Sequence, residues 1–431
     1  MIIPAVERLL RLGAAVLLLS APGSLMAQAS GQNDSVLARL TAEALAANPS
    51  LAATRATARA ALSRVRPAGA LPDPMLSAGI MNLALPRFAF RESDFTEVDL
   101  ELGQEFPWPG TLGARTRAAR AESRARGADV SARRREVVVR SAELYYQLRY
   151  VVTARATLLR QRHLLAAAVD ISTTRYATAS APQSDPLQAR VALARLDTEE
   201  AELAARESRL RADLKALRKV NGTDYLPVEP IRPDAVPIGL HPSSDSAQTT
   251  LPDSLPDHPR VTALRAAVEA AEQTARVEQF GTRPDFTISA RYGARPLGSD
   301  FFSAFVGIRL PLWAGRKQGK LAEAARADAD AARAAVDEET AALNAELRGT
   351  LAEVQGGATR LRLLTGQVIP SARATVDATL RGYRVGQVQF LNVLAAEDSF
   401  YRAELDAAMV AAEHLTHLVM LEQLVLREAA P

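Results

Sequence analysis

The side chains able to do chemistry are few, and they are poorly placed for catalysis. The sequence has no cysteine, so it offers neither a thiol nucleophile nor a disulfide, and it carries no Gly-rich phosphate loop. His414 and His417, beside Glu413, have a helical spacing that could hold a metal ion. Two nitrogens make an incomplete site, and the pair reads first as a packed or solvated helix surface. No cofactor and no enzymatic activity are expected. The other charged set is a row in which Glu97, Asp99 and Glu101 alternate with Val98, Leu100 and Leu102. One acidic and one apolar face at a period of two make a β-strand between a wet and an oily environment. Arg291 and Arg309 lie in two later stretches of the same alternation, and Trp108 and Trp313 stand where strand gives way to helix. Aromatic rings favour a membrane–water interface, although core packing also accommodates them there.

The elements that position these groups follow from composition and period. The chain of 431 residues is 48% hydrophobic and 23% charged, with a formal net charge of +3. That balance describes a folded protein, and the interleaving of basic with acidic residues argues against nucleic-acid binding. Residues 1–29 read as a secretory signal peptide: Arg8 and Arg11, then an apolar run from Leu12 to Leu19, then Ala27-Gln28-Ala29. The apolar run is too short to span a bilayer.

Residues 30–225 then form a first unit. A helix starts at Asp34 or Ser35 and reaches about Arg66, interrupted at Asn48-Pro49; strands at about 75–82 and 96–106 and a helical hairpin over 111–220 complete the unit. The Pro-, Ser- and Asp-rich segment 226–257 reads as a linker in an equatorial region. A second unit, 258–428, has strands at about 285–293 and 302–310 and a hairpin over 316–427. In its outgoing helix Leu343, Leu347, Leu351, Val354, Ala358, Leu361, Thr365, Val368, Ala372 and Val376 recur in steps of three and four, the seam of a coiled coil. Pro370 lies inside that seam and reads as a kink.

The second unit repeats the first. Asn48-Pro49 matches His258-Pro259 and Pro74 matches Pro284 at one common offset. Gly110 pairs with Gly315; Tyr176 pairs with Tyr383, each standing the same distance before a leucine, Leu187 or Leu394. At ~1.5 Å per residue each long helix measures roughly 100 Å. The two shorter helices of a unit add up to that length, so they can stack end to end beside it. The fold expected is mainly α with a small β part: duplicated long helical hairpins, the staves of an α-barrel, plus four strands. Four strands cannot close a barrel, and open edges are prohibitive in hydrocarbon, so several copies must share one. Three copies give twelve strands.

With these pieces in order and in duplicate, the chain resembles the TolC family of outer-membrane efflux channels from about Asp34 to Arg427. The matching pieces are Asn48-Pro49, Leu71-Pro72-Asp73-Pro74, Gln104-Glu105-Phe106-Pro107-Trp108-Pro109-Gly110, Pro311-Leu312-Trp313-Ala314-Gly315, Ile369-Pro370 and Tyr383-x-x-Gly386 with Phe390 and Val393-Leu394. Asp73-Pro74-Met75 and Phe106-Pro107-Trp108-Pro109-Gly110 are most similar to the heavy-metal, CzcC- and CusC-like, branch.

The resemblance implies a homotrimer in outer-membrane lipid, with a twelve-stranded β-barrel above a periplasmic helical tunnel. It would dock on a periplasmic adaptor (membrane fusion) protein and an inner-membrane pump of the RND type. The chain would be their passive gated exit duct, for heavy-metal cations. Multidrug efflux or type I secretion is the alternative cargo class, and a periplasmic coiled-coil adaptor or scaffold is the more distant alternative. The two hairpin breaks would be the periplasmic tips and gate, with Tyr176, Asp185 and Leu187 in the first and Tyr383, Gly386, Asn392 and Leu394 in the second. The family's second tip often carries aspartates where this chain has Asn392 and Ala395. Asp185, equivalent to Asn392, could supply a ring of three carboxylates, or simply cap a helix beginning at Pro186. Glu97, Asp99, Glu101, Arg291 and Arg309 would line the barrel lumen and set ion selectivity, or else be solvated outer-face charges.

Overall fold

The computed structural model describes residues 34–83, 91, 93, 95–222, 226–237, 255 and 257–426; the expected signal peptide lies outside them. Side-chain caps set the first starts. Asp34 Oδ1 accepts from the Leu37 amide at 3.3 Å and opens α1 (Ser35–Ala47). Asn48 Oδ1 accepts from the Leu51 amide at 3.1 Å and opens α2 (Pro49–Ala68), with Pro49 at the first helical position, where its missing N–H costs nothing. The single interrupted helix expected over 35–66 is therefore two. Next come β1 (Met75–Met81) and β2 (Glu97–Phe106). Beyond them α3 (Thr111–Ala177) and α4 (Ser184–Arg218) form the first hairpin.

The second unit follows the same plan: α5 (Pro259–Phe280), β3 (Asp285–Ala294), β4 (Phe301–Arg309), α6 (Gln318–Leu363), a π-helical turn Leu364–Val368, α7 (Ile369–Arg384) and α8 (Phe390–Val425). His258 caps α5 as Asn48 caps α2, its Nδ1 accepting from the Arg260 amide at 3.3 Å. All four strands join one antiparallel sheet in the order β1-β2-β3-β4, so the two units meet across β2 and β3.

The helices pack as their lengths require. Both α2 and α4 lie on α3, α5 lies between α3 and α6, and α8 lies on α6, α7 and α3. The main core gathers Leu40, Leu148, Val151, Leu214, Leu361 and Val410 from five helices. Full burial of one such side chain is worth about 1.5–3 kcal/mol. Arg135 of α3 closes the far end of α8, donating to the Gln423 and Leu426 carbonyls at 2.9 and 2.7 Å. These are acceptors the helix itself cannot satisfy. Among the described residues, no helix is long and apolar enough to cross a membrane.

Two expectations are corrected. The coiled-coil seam holds from Leu343 to Leu361, breaks at Val368, which is 44% exposed, and resumes at Val376, which is buried. A π turn adds a residue to the helical ladder, so the face slips locally at 364–368. Pro370 follows that π turn directly, as the second residue of α7. The segment 226–237 is not a loose linker. Leu226, Ile231 and Val236 are buried. The Ile231 amide donates to Thr153 Oγ1 at 2.7 Å, and Arg149 donates to the Glu229 and Pro230 carbonyls at 3.1 and 3.3 Å.

Candidate conduit: sheet wall and helical tip

The sheet has two unlike faces, fixed by strand parity and register. Even-numbered residues of all four strands form one face, where Leu76, Ile80, Leu100, Leu102, Ile288, Phe302 and Val306 are each about half or more exposed. On the other face Asp99 and Ser289 are buried within a single protomer, so the sheet curls toward its polar side. An apolar convex face and a polar concave one invert the arrangement of a water-soluble sheet. Trp313, at 72% exposed, with Leu312 beside it, continues the apolar surface past the end of β4. Trp108 instead stacks on Phe286 at 6.0 Å and lies under Arg283. The matched tryptophans thus have different jobs, one at the surface and one in the packed junction.

All five residues expected along the polar face are on it, but not as free charges. Arg291 donates to Glu101 at 2.8 and 3.2 Å, across the β2–β3 seam between units. Arg309 donates to Glu105 at 2.7 and 3.0 Å and lies 3.7 Å from Asp285. Glu97 and Asp99, also attracted to Arg291, converge on the space above Gly293. A Cβ there would lie 2.8 Å from Glu97 Oε2 and 3.2 Å from Asp99 Oδ1. Glu105 was missed in the sequence, although it shares the parity of the other three carboxylates.

At the far end of the hairpins, Tyr383 is the hub. It is buried, its ring tilted against Phe390 at 5.2 Å among Ala168, Ala189 and Val393. Its hydroxyl donates to Asp185 Oδ2 at 3.1 Å. The Arg175 guanidinium lies over the ring at 4.5 Å, and it donates to the Tyr383 carbonyl and to the Ser180 carbonyl. Burial first, and then the bond to Asp185, push the Tyr383 phenol up to about 12, so it stays protonated as a donor. Asp185 is itself buried, in the first turn of α4, whose cap is Gln183. The helix-capping role expected for it is therefore wrong, and within the protomer its carboxylate is tied to the other hairpin.

Leu394 is half-buried in the same cluster, whereas Tyr176, Leu187 and Asn392 face outward, and Gly386 takes the left-handed turn at φ +78. Sequence reasoning missed Arg175, because its partner lies in the other unit. It also missed Glu397, although Phe390, Val393, Glu397 and Tyr401 share one helical stripe. Glu397 is buried with Oε2 unpartnered, and burial alone pushes its carboxyl up to about 7.

His414 is fully buried in the bundle, with Nε2 at 3.3 Å from the Pro237 carbonyl and its ring against Gly357. Burial pushes its pKa down, and it belongs to packing. Among the described residues, no group of three or more metal-ligating side chains is found, His417 included.

Comparison with known proteins agrees with this geometry. Residues 250–425 match the family model of outer membrane efflux proteins. No curated protein matches the chain. Among solved structures, the outer-membrane channel OprN is similar at 21% identity, with a TM-score of 0.76 over 91% of this chain and 90% of its own. VceC from Vibrio cholerae is similar at 20% identity and a TM-score of 0.73, over 91% and 96%. CusC is similar at 15% identity and a TM-score of 0.77, over 91% and 92%. The fold is that of the outer-membrane efflux channels: long helices carrying a small four-stranded sheet.

Proposed function

We propose that the chain is the outer-membrane channel of a tripartite efflux system, a passive duct gated at its helical tips. The observation that carries this reading is the sheet. One face is mostly apolar and largely solvent-exposed, the other is curled and polar, and both outer edges, β1 and β4, are open. Edges of that kind are tolerable in hydrocarbon only when neighbouring copies pair with them. Three copies sharing their edges make a twelve-stranded barrel with the polar face inward. Six hairpins then form a tunnel on the periplasmic side.

The exposed apolar residues Leu187, Val191, Val385 and Leu391 at the tips provide a surface for neighbouring copies and for a periplasmic adaptor, which links the duct to a proton-driven inner-membrane pump of the RND type. The tie from Asp185 to Tyr383, clamped by Arg175, holds the tip closed at rest. The cargo we assign is heavy-metal cations, on the strength of Asp73-Pro74-Met75 and Phe106-Pro107-Trp108-Pro109-Gly110.

Two experiments test the proposal. The expressed chain should pellet with membranes, come out only in detergent and cross-link as a trimer; a soluble periplasmic monomer would sink the channel reading. Deleting the gene should sensitise cells to divalent heavy metals and leave drug tolerance unchanged. The opposite pattern would reassign the cargo.

A further inference from the structure

The helices below the sheet repeat its strand order. In the row α2-α3-α5-α6 each helix packs on the next, and each adjoins its own strand in the chain, β1, β2, β3 or β4. The two units meet inside the protomer where α3 packs on α5. There Arg124 of α3 pairs with Glu269 of α5, and Arg117 donates to Gln273 at 2.9 Å. The outer members of the row, α2 and α6, have a neighbour on one flank only.

The duplication shows what the two open flanks correspond to. In the register that sets Asn48 on His258, Arg59 of α2 falls on Glu269 of α5. Along α3 and α6, Phe106-Pro107 match Leu310-Pro311, and the buried Ala121 and Ala125 match Ala325 and Ala329, one residue off the match of Gly110 with Gly315. That register sets Asp328 on Arg124. The flank of α6 therefore carries an acid where that of α3 carries a base, and α2 carries a base where α5 carries an acid. Arg59 and Asp328 are both exposed, and neither is in an ion pair among the described residues.

The two flanks are built to receive a helix. Leu321, Ala324, Asp328, Ala331 and Ala335 recur along α6 in steps of three and four, exposed apart from half-buried Ala335. Ala52, Ala56, Arg59 and Ser63 do the same along α2, and all four are exposed. That spacing is the seam of a helix pair, here lined mainly by small side chains that permit close approach. Charge agrees: α2 has four arginines and no acidic residue, while Asp337 and Glu338 extend the exposed acids of α6.

We propose that α6 of one copy packs on α2 of the next, with Asp328 paired to Arg59 across the junction, and that this reversed polarity fixes which units can meet. The assignment rests on the ring of copies proposed above. Were α6 to approach α5 of another copy, Asp328 would face Glu269; were α3 to approach α2, Arg124 would face Arg59. Like charges set opposite each other at an interface select against the wrong partner. First and second units must then alternate around the ring, and each α6–α2 junction brings β4 of one copy to β1 of the next.

The chain has no cysteine, so introduced thiols report cleanly. In the full chain in detergent, Arg59→Cys combined with Asp328→Cys should give dimers and trimers with a short thiol-reactive cross-linker, and either variant alone should give none. Both side chains are exposed, so the protomer fold tolerates these changes. Arg59→Glu should lower the trimer population seen by light scattering, about two- to fivefold for each junction. Adding Asp328→Arg should restore it. A trimer without the cross-link, or a double reversal no better than Arg59→Glu, overturns the pairing and leaves the channel reading standing. A wild-type chain that stays monomeric in detergent overturns both.

Discussion

The two units are the same sentence written with different words, and where the words differ the chemistry moves. At the short-helix start the first unit uses Asn48, which accepts from the Leu51 amide and donates to the Leu217 carbonyl at 3.2 Å. The second uses His258, which can accept only while its ring is neutral. At the tip the first unit presents Tyr176 to solvent, while the second buries Tyr383 on Asp185. In the register that matches these tyrosines, Glu397 falls opposite Arg190, one buried and the other exposed. At these matched positions the second unit carries the titratable or buried group, while elsewhere the first unit buries Asp99, Arg135, Asp185 and Arg218. Duplication supplied one scaffold, and its two copies bury different polar groups.

The largest consequence is a pair of opposed pH dependences. Burial, and then the neighbouring Arg135 and Arg260, push the His258 imidazole down from 6.5 to about 4. A base with a depressed folded pKa contributes stability that is intact above about 6.5 and is lost as pH falls toward 4. Burial pushes the Glu397 carboxyl up from 4.5 to about 7. An acid with a raised folded pKa does the reverse, and stability falls as pH rises from about 4.5 through 7. Each effect is worth on the order of 3 kcal/mol, so in the wild type they largely cancel over that window. His258→Asn, which copies the cap of the first unit, should leave a protein that loses stability as pH rises from 4.5 to 7. Glu397→Gln should leave one that loses it as pH falls. Thermal midpoints in detergent across that range check both slopes, and parallel curves for the two variants would break the comparison.

What could be read from the chain alone was whatever is periodic or local. The alternation of Glu97, Asp99 and Glu101 with Val98, Leu100 and Leu102 gave the two faces of the sheet, because strand parity is strict. Asp34 marked the first helix start because caps act over three residues, whereas Asn48 was read as an interruption and not as a second start. The slip at 364–368 was invisible, since Val368 continues the seam as a letter while the π turn carries it outward. The strap 226–237 was hidden by prolines, although Leu226, Ile231 and Val236 mark its buried side. Contacts that join the units, Arg291 to Glu101 and Arg175 and Asp185 to Tyr383, depend on a register between segments about two hundred residues apart. No local pattern encodes them.

The tip sharpens the comparison next. Tyr383→Phe removes one hydroxyl and leaves a buried carboxylate with only a 3.4 Å contact from Ser184 Oγ. Losing a hydrogen bond to a charged group costs about 1.5–3 kcal/mol. Should the closed tip depend on it, the open population rises by about ten- to a hundredfold. Bilayer conductance should therefore increase in Tyr383→Phe and stay unchanged in Tyr176→Phe, whose ring is already exposed. Equal behaviour of the two variants would remove Tyr383 from the gate.

The smallest expected effect isolates the backbone. Ala179 and Gly386 occupy equivalent turns at φ +56 and +78, in the left-handed region. For alanine that region costs about 1–2 kcal/mol, whereas for glycine it is nearly free. Yet glycine returns some of the gain, because its unfolded chain has more conformations to lose, worth about 0.5–1 kcal/mol. Ala179→Gly should therefore stabilise the first tip by no more than about 1 kcal/mol, and Gly386→Ala should destabilise the second by about the same. A β-carbon at Gly386 meets nothing closer than the Arg175 guanidinium at 3.6 Å, so strain rather than collision is being measured there. Trypsin reports it directly, because Arg384 stands two residues before Gly386: Gly386→Ala should be cut there faster, and Ala179→Gly should slow cleavage at Arg175. If instead both tips respond alike, the two turns are held by their packing and not by their backbones.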